Sequence, residues 1–165
     1  MKKINIMAAA LVGLLAFASC DADRDDNPIM SVPESFNLLK PEMGDNIIDL
    51  KSSEYVQFKA EKAADYGFPT ETSYWIQIAG EDNADFKNKK RIFSTSTKGN
   101  SITYNAPANE FDLCVMKVKG WEEESQVVTD QPITLNVRMV SCPKNLNDSA
   151  NYVYTNVQQV KIYPY

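Results

Sequence analysis

Ile133-Thr134-Leu135-Asn136-Val137-Arg138-Met139-Val140 alternates apolar and polar side chains, and its reading decides the fold class. A period of two puts Ile133, Leu135, Val137 and Met139 on one face of an extended strand, with Thr134, Asn136 and Arg138 on the other. A helix would scatter the same residues around its axis. Three further runs repeat the pattern: Tyr55-Val56-Gln57-Phe58-Lys59-Ala60, Tyr74-Trp75-Ile76-Gln77-Ile78 and Val160-Lys161-Ile162-Tyr163. These four supply the core strands.

Outward from them, weaker strands are expected at 36–39, 47–50, 92–95 and 101–104, with a hairpin turn at Thr97-Lys98-Gly99-Asn100 between the last two. One segment departs from the period. Asn109-Glu110-Phe111-Asp112 reads as a helix start with Asn109 at the N-cap, and Gly120 as its stop, giving a short helix over 109–120 with Leu113, Cys114 and Val118 on its buried side. About seven short strands separated by Gly, Pro, Asn and Asp make an all-β immunoglobulin- or fibronectin-like sandwich the economical fold. A jelly roll is the alternative.

The chain of 165 residues has 17 basic and 22 acidic residues, a formal charge of −5, and no histidine. Without imidazole there is no Ser-His-Asp or Cys-His nucleophile pair and no HExxH zinc site. Nucleic acid is not an expected partner, because phosphate binding needs a concentrated positive face and the balance is acidic. The composition points to no cofactor and no metal. Glu122-Glu123-Glu124 are adjacent, so a strand turns them to alternate sides, and their spacing is not that of a calcium loop.

The N-terminus reads as an address. Lys2 and Lys3 precede an apolar run from Ile4 to Phe17 that is shorter than the ~20 residues a membrane-spanning helix needs, so residues 1–19 are expected to be a cleaved signal peptide. Phe17-Ala18-Ser19-Cys20 resembles a bacterial lipobox, with Phe17 where an aliphatic residue is usual, and the resemblance implies acylation of Cys20 after cleavage. Several acyl chains at ~0.8 kcal/mol per buried methylene anchor a protein firmly. Residues 20–34, with Asp21, Asp23, Asp25 and Asp26 around Arg24, read as an acidic flexible tether to a domain over 35–165. An acidic run behind an acylated cysteine also resembles an export signal to the cell surface; a plain solvated spacer is the other reading.

Three stretches resemble one family. Phe36-Asn37-Leu38-Leu39-Lys40-Pro41, then Ala64-Asp65-Tyr66-Gly67-Phe68 leading into Thr72-Ser73-Tyr74-Trp75-Ile76-Gln77-Ile78, and finally Tyr154-Thr155-Asn156-Val157 before Val160–Tyr165 are similar to the SusE-like outer-membrane lipoproteins. The similarity is to their N-terminal immunoglobulin-like domain, which in the family acts mainly as a spacer, and counterparts of the further modules that carry the family's starch contacts are not expected within these residues. It implies a non-catalytic accessory of polysaccharide capture and uptake, on the outer membrane beside a TonB-dependent transporter complex and its partner lipoproteins, holding starch or another glycan. A structural spacer or protein-interaction module without glycan contact is the alternative, and a small carboxylate hydrolase is a third class.

Sugar sites pair an aromatic face with groups for hydroxyls. With Tyr74, Ile76 and Ile78 inward, Trp75 and Gln77 share an outer sheet face with Asn136, Arg138, Lys161 and Tyr163, the glycan-binding candidates, to which loop residue Trp121 is added. In the alternative reading, Trp75 is expected to be covered by the 109–120 segment or a loop, or to brace the sheet across strands, and Trp121 to plug the bottom of the sandwich. Cys114 and Cys142 form an even pair once Cys20 is acylated, and a disulfide between them requires Cα atoms within about 7 Å.

Overall fold

The structure, a computed structural model, describes residues 29–41, 46–87, 89–97, 102–144, 146 and 148–165. The expected leader, Cys20, most of the expected tether and, apart from Thr97, the expected turn at 97–100 lie outside the described residues. The chain divides into Met1–Met30 and Ser31–Tyr165, and the described strands and helix all belong to the second unit.

Two sheets form that unit. In the larger, β1 (Ile48–Asp49), β8 (Gln158–Tyr163), β6 (Ile133–Pro143), β3 (Thr72–Gly80) and β4 (Lys90–Thr97) lie side by side in that order, with β7 (Val153–Tyr154) also on β6. The smaller pairs β2 (Tyr55–Ala60) with β5 (Ile102–Pro107). Among the described residues these strands pair antiparallel except β1 with β8, and the isolated bridge from Phe36 to Thr155 is also parallel. The helix α1 (Ala108–Lys119) joins β5 to the β6 side of the fold.

Register explains the core. Ile76 pairs with Met139, Ile78 with Val137, and Leu135 with Val160, so the apolar set predicted from alternation forms one continuous inner face. Val56 opposite Ala106, Phe58 opposite Tyr104 and Ala60 opposite Ile102 make the facing surface. All of these side chains are buried. Such a double layer of alternating strands is the immunoglobulin-like arrangement.

Phe36 to Leu39 is the seam. Phe36 bridges to Thr155 of the large-sheet side, whereas Leu38 bridges to Ala60 of the small sheet. The Asn156 side chain acts as a substitute strand: Leu38 N–H donates to its Oδ1 at 2.8 Å, and its Nδ2 donates to the Leu38 carbonyl at 3.2 Å. A short edge tied to both layers leaves little unpaired backbone to recruit another chain.

Asp65-Tyr66-Gly67 is a turn built to plant a ring. Gly67 N–H donates to Asp65 Oδ1 at 2.9 Å, and Gly67 takes φ 81°, which a side chain would resist. Tyr66 is thereby buried, and its Oη shares a hydrogen bond of 2.9 Å with Ser141 Oγ.

Two expectations for α1 are corrected. The N-cap is Pro107, not Asn109, and the first helical N–H, of Ala108, donates to the Glu54 carbonyl at 3.1 Å. The buried face is Ala108, Phe111, Asp112 and Val115, while Leu113 is 54% exposed and Cys114 and Val118 are intermediate. Those four follow i, i+3, i+4, i+7, and Phe111 stacks on Phe58 with ring centroids 6.0 Å apart. Asp112 disguises this stripe, because a carboxylate at a core position reads as polar.

Cys114 and Cys142 are not joined by a disulfide, so the candidate pairing is not made. Helix residue Val118 approaches β3 at Gly80, whereas Cys142 pairs with Ser73 near the other end of that strand. Seven residues of strand span about 23 Å, and the four helix residues from Val118 back to Cys114 recover at most about 6 Å of it, which leaves the pair beyond bridging distance.

Candidate functional site

The outer face of β3 and β6 has the predicted phase. Trp75 lies opposite Val140, Gln77 opposite Arg138 and Ala79 opposite Asn136. It is not an open platform. Trp75, Gln77 and Asn136 are no more than 5% exposed. The Tyr152 ring meets Trp75 edge-on at 5.0 Å, and Trp75, Val140 and Cys142 form a small second core against which Tyr152 and Tyr154 pack. Arg138 lies between two rings, its Cζ 4.1 Å from the centroids of both Phe86 and Tyr154, while its Nε donates to Gln77 Oε1 at 2.9 Å. Asn136 Nδ2 donates to the Gly80 and Glu81 carbonyls at 3.0 Å, which fastens the loop bearing Phe86 over the sheet. Of the two readings of Trp75, the chain adopts the one in which its own segments cover the ring. Alternation in β3 and β6 assigns these residues to a face but carries no information on what lies above it.

A different concavity is open. A cleft of about 780 Å³ lies between one side of α1 and the chain's last residues. Asn109, Asp112, Leu113 and Met116 line it from α1, and their i, i+3, i+4, i+7 spacing places them on a single face. Tyr163, Pro164 and Tyr165 also line it, together with Asp49, Lys51, Glu124 and Thr129.

Local hydrogen bonds hold each wall. Asp49 Oδ1 accepts from Lys51 N–H at 3.0 Å, its carbonyl accepts from Ser53 Oγ at 2.7 Å, and Leu50 N–H donates to the Tyr163 carbonyl at 3.1 Å. After α1, Gln126 Oε1 accepts from the backbone N–H groups of Glu122 and Glu123, which closes a capping box around the turn at Glu124–Gln126. Across the cleft, Tyr165 N–H donates to Asp112 Oδ1 at 3.2 Å. Asp112 is only 4% exposed, and this burial pushes its carboxyl above the ordinary carboxylate value, with the Tyr165 N–H partly opposing.

The surface combines tyrosine rings, aliphatic side chains and carboxylate, amide, ammonium and hydroxyl groups. That mixture fits a ligand with both C–H faces and hydroxyls. Of the sequence-derived candidates, Tyr163 lines the cleft. Trp121 is half-buried just past α1, its N–H on the Met116 carbonyl at 2.9 Å, and is not among the lining residues; Lys161 is exposed on the outer face of β8. Asn109, Asp112, Leu113, Met116 and Tyr165 escape sequence reasoning. Their trace in the sequence is a second apolar pair on α1, Leu113 and Met116, on the side opposite Phe111 and Val115.

A family model described as SusE outer membrane protein matches residues 23–113, more than half of the 165-residue chain. The matched stretch runs through β1 to β5 and ends inside α1 at Leu113, one of the residues that line the cleft. It includes two of the three motifs that resemble the same family, the seam at 36–41 and the Tyr66 turn leading into β3, and the chain therefore belongs to the SusE outer membrane protein family.

Proposed function

We propose that this outer-membrane protein is a lipid-anchored, cell-surface accessory of a starch-like polysaccharide capture and uptake system, and that it holds glycan without cutting it. In this reading residues 1–19 are removed, Cys20 is acylated, residues 20–34 tether, and the domain over 35–165 presents ligand to a TonB-dependent transporter complex and its partner lipoproteins. The observation that carries it is the open cleft, where Tyr163 and Tyr165 stand beside Asn109, Asp112 and Glu124. In this reading the cleft serves as contact surface for the glycan. Native electrophoresis through gels containing soluble starch or other neutral glycans tests it. Retardation is expected, and Tyr163→Ala should weaken it about 5- to 30-fold, the worth of one aromatic stacking contact of ~1–2 kcal/mol.

A second reading rests on the covered outer face. A sheet that seals its Trp75 beneath Tyr152 suits a spacer or protein-interaction module. Absence of retardation on every glycan would favour that reading.

A further inference from the structure

We infer that Asp112 is a positioning residue for glycan binding: by holding the backbone N–H of Tyr165 it fixes one of the two tyrosines that line the cleft before any sugar arrives. This rests on the reading of the cleft as a glycan seat and adds the device that shapes it.

Tyr165 needs such a hold. The last ladder pair of β8 joins Tyr163 to Asp49, and the Tyr163 carbonyl accepts from Leu50 N–H at 3.1 Å. Pro164, which follows, has no N–H to donate. Beyond it, among the described residues, the backbone is tied at one point, where Tyr165 N–H reaches Asp112 Oδ1 at 3.2 Å. Chain past the last pair of a ladder frays unless it is tied down. Burial does not supply the hold, because Tyr165 is 39% exposed.

Asp112 suits this task better than it suits the core. It sits in the buried stripe of α1 with Ala108, Phe111 and Val115, at 4% exposure and with one hydrogen bond to its carboxylate among the described residues. A buried carboxylate so sparsely compensated stabilises a fold less than an apolar side chain of similar size. What it gains is a fixed origin. Phe111 stacks on Phe58 at 6.0 Å and Ala108 N–H donates to the Glu54 carbonyl at 3.1 Å, so α1 is fastened to β2 and the residue before it, immediately beside Asp112. Oδ1 therefore stands on a rigid element, and the residue hung from it inherits that rigidity. Ordering a contact residue in advance removes that cost from binding, which is worth about 3- to 10-fold in affinity for one side chain.

The test separates affinity from stability. Asp112→Leu removes the acceptor and fills the buried position, so its thermal midpoint should be no lower than that of the wild type. Titration calorimetry of the full chain with a soluble glucose oligomer should nevertheless show binding about 3- to 10-fold weaker. Asp112→Ala, which adds no bulk, should weaken binding equally. In a double-mutant cycle the Asp112→Leu loss should vanish in the Tyr165→Ala background, since Asp112 acts through that residue. A second readout needs no ligand. Amide hydrogen exchange at Tyr165 should be faster in Asp112→Leu than in the wild type and slow again in Asp112→Asn, whose side-chain oxygen restores the acceptor, with the amides of β3 and β6 unchanged.

Losses that add in the cycle would overturn the inference and leave the glycan seat standing, because Asp112 would then touch the sugar itself. A Tyr165 amide that exchanges at one rate in the wild type and in Asp112→Leu would overturn it as well. So would a lowered midpoint that accounts for the weaker binding, since the role would then be structural. Absence of binding by the wild-type chain would overturn the seat and the inference together.

Discussion

Arg138 keeps its charge between two rings, with Phe86 and Tyr154 each 4.1 Å from the guanidinium carbon and Gln77 on its Nε. A planar guanidinium stacks on both faces at once, which a lysine ammonium does not. Phe86 is held at φ 59°, a left-handed conformation that is rare for a bulky residue, so the loop stores some strain in pressing this ring onto Arg138. Arg138→Lys should therefore destabilise the fold by about 1–3 kcal/mol, from the loss of two partly desolvated cation–π contacts. Urea unfolding at constant m-value measures this. Glycan affinity should not move, because Arg138 lies outside the cleft. Trp75→Ala belongs to the same class: it empties a space beneath Tyr152 and should cost about 3–5 kcal/mol of stability.

Helix α1 shows which parts of an element its sequence reveals. Its existence and its stop are legible, because Gly120 at φ 73° and the basic Lys117 and Lys119 in the last turn are local signals. Its buried face is not. Asp112, adjacent to Phe111, breaks the apolar stripe that runs on to Val115, and only the tertiary partner Phe58 shows which side is covered. The strands behave in the same way. Tyr55–Ala60 is legible to the residue, whereas β3, β6 and β8 each extend beyond their alternating runs. Period two assigns each side chain to a face, but the cover over Trp75 and Arg138 comes from Tyr152, β7 and the loop carrying Phe86, distant in sequence. The stop of α1 can be tested alone. A Cβ at Gly120 meets no atom within 4 Å, so Gly120→Ala introduces backbone strain and no clash. The expected loss is about 1–2 kcal/mol, seen as a lower thermal midpoint by circular dichroism, with the β signal retained at low temperature.

Across the whole molecule, buried tyrosines link the layers, and their hydroxyls make the sandwich sensitive to alkali. Tyr66 joins its turn to Ser141 of β6, Tyr74 stands on the inner face of β3 against Phe36, and Tyr104 lies on the inner face of β5. Burial raises all three, Tyr66 and Tyr104 from 10.0 to about 12. In the unfolded chain these phenols ionise near their ordinary value. Between 10 and about 12 the folded state therefore holds more protons than the unfolded one, and stability falls as pH rises through that window. Below it, the contribution is fully present. Because a phenolate would sit between packed layers, ionisation should accompany global unfolding and not a local opening. The urea midpoint should thus be level up to the onset of tyrosine ionisation and then decline, with the last tyrosinate absorbance appearing together with loss of the β circular dichroism. Tyr66→Phe removes one of these protons and should shallow the decline, at the expense of the Ser141 hydrogen bond. Tyrosinate absorbance complete while the β spectrum persists would show instead that these hydroxyls are open to solvent in the folded protein.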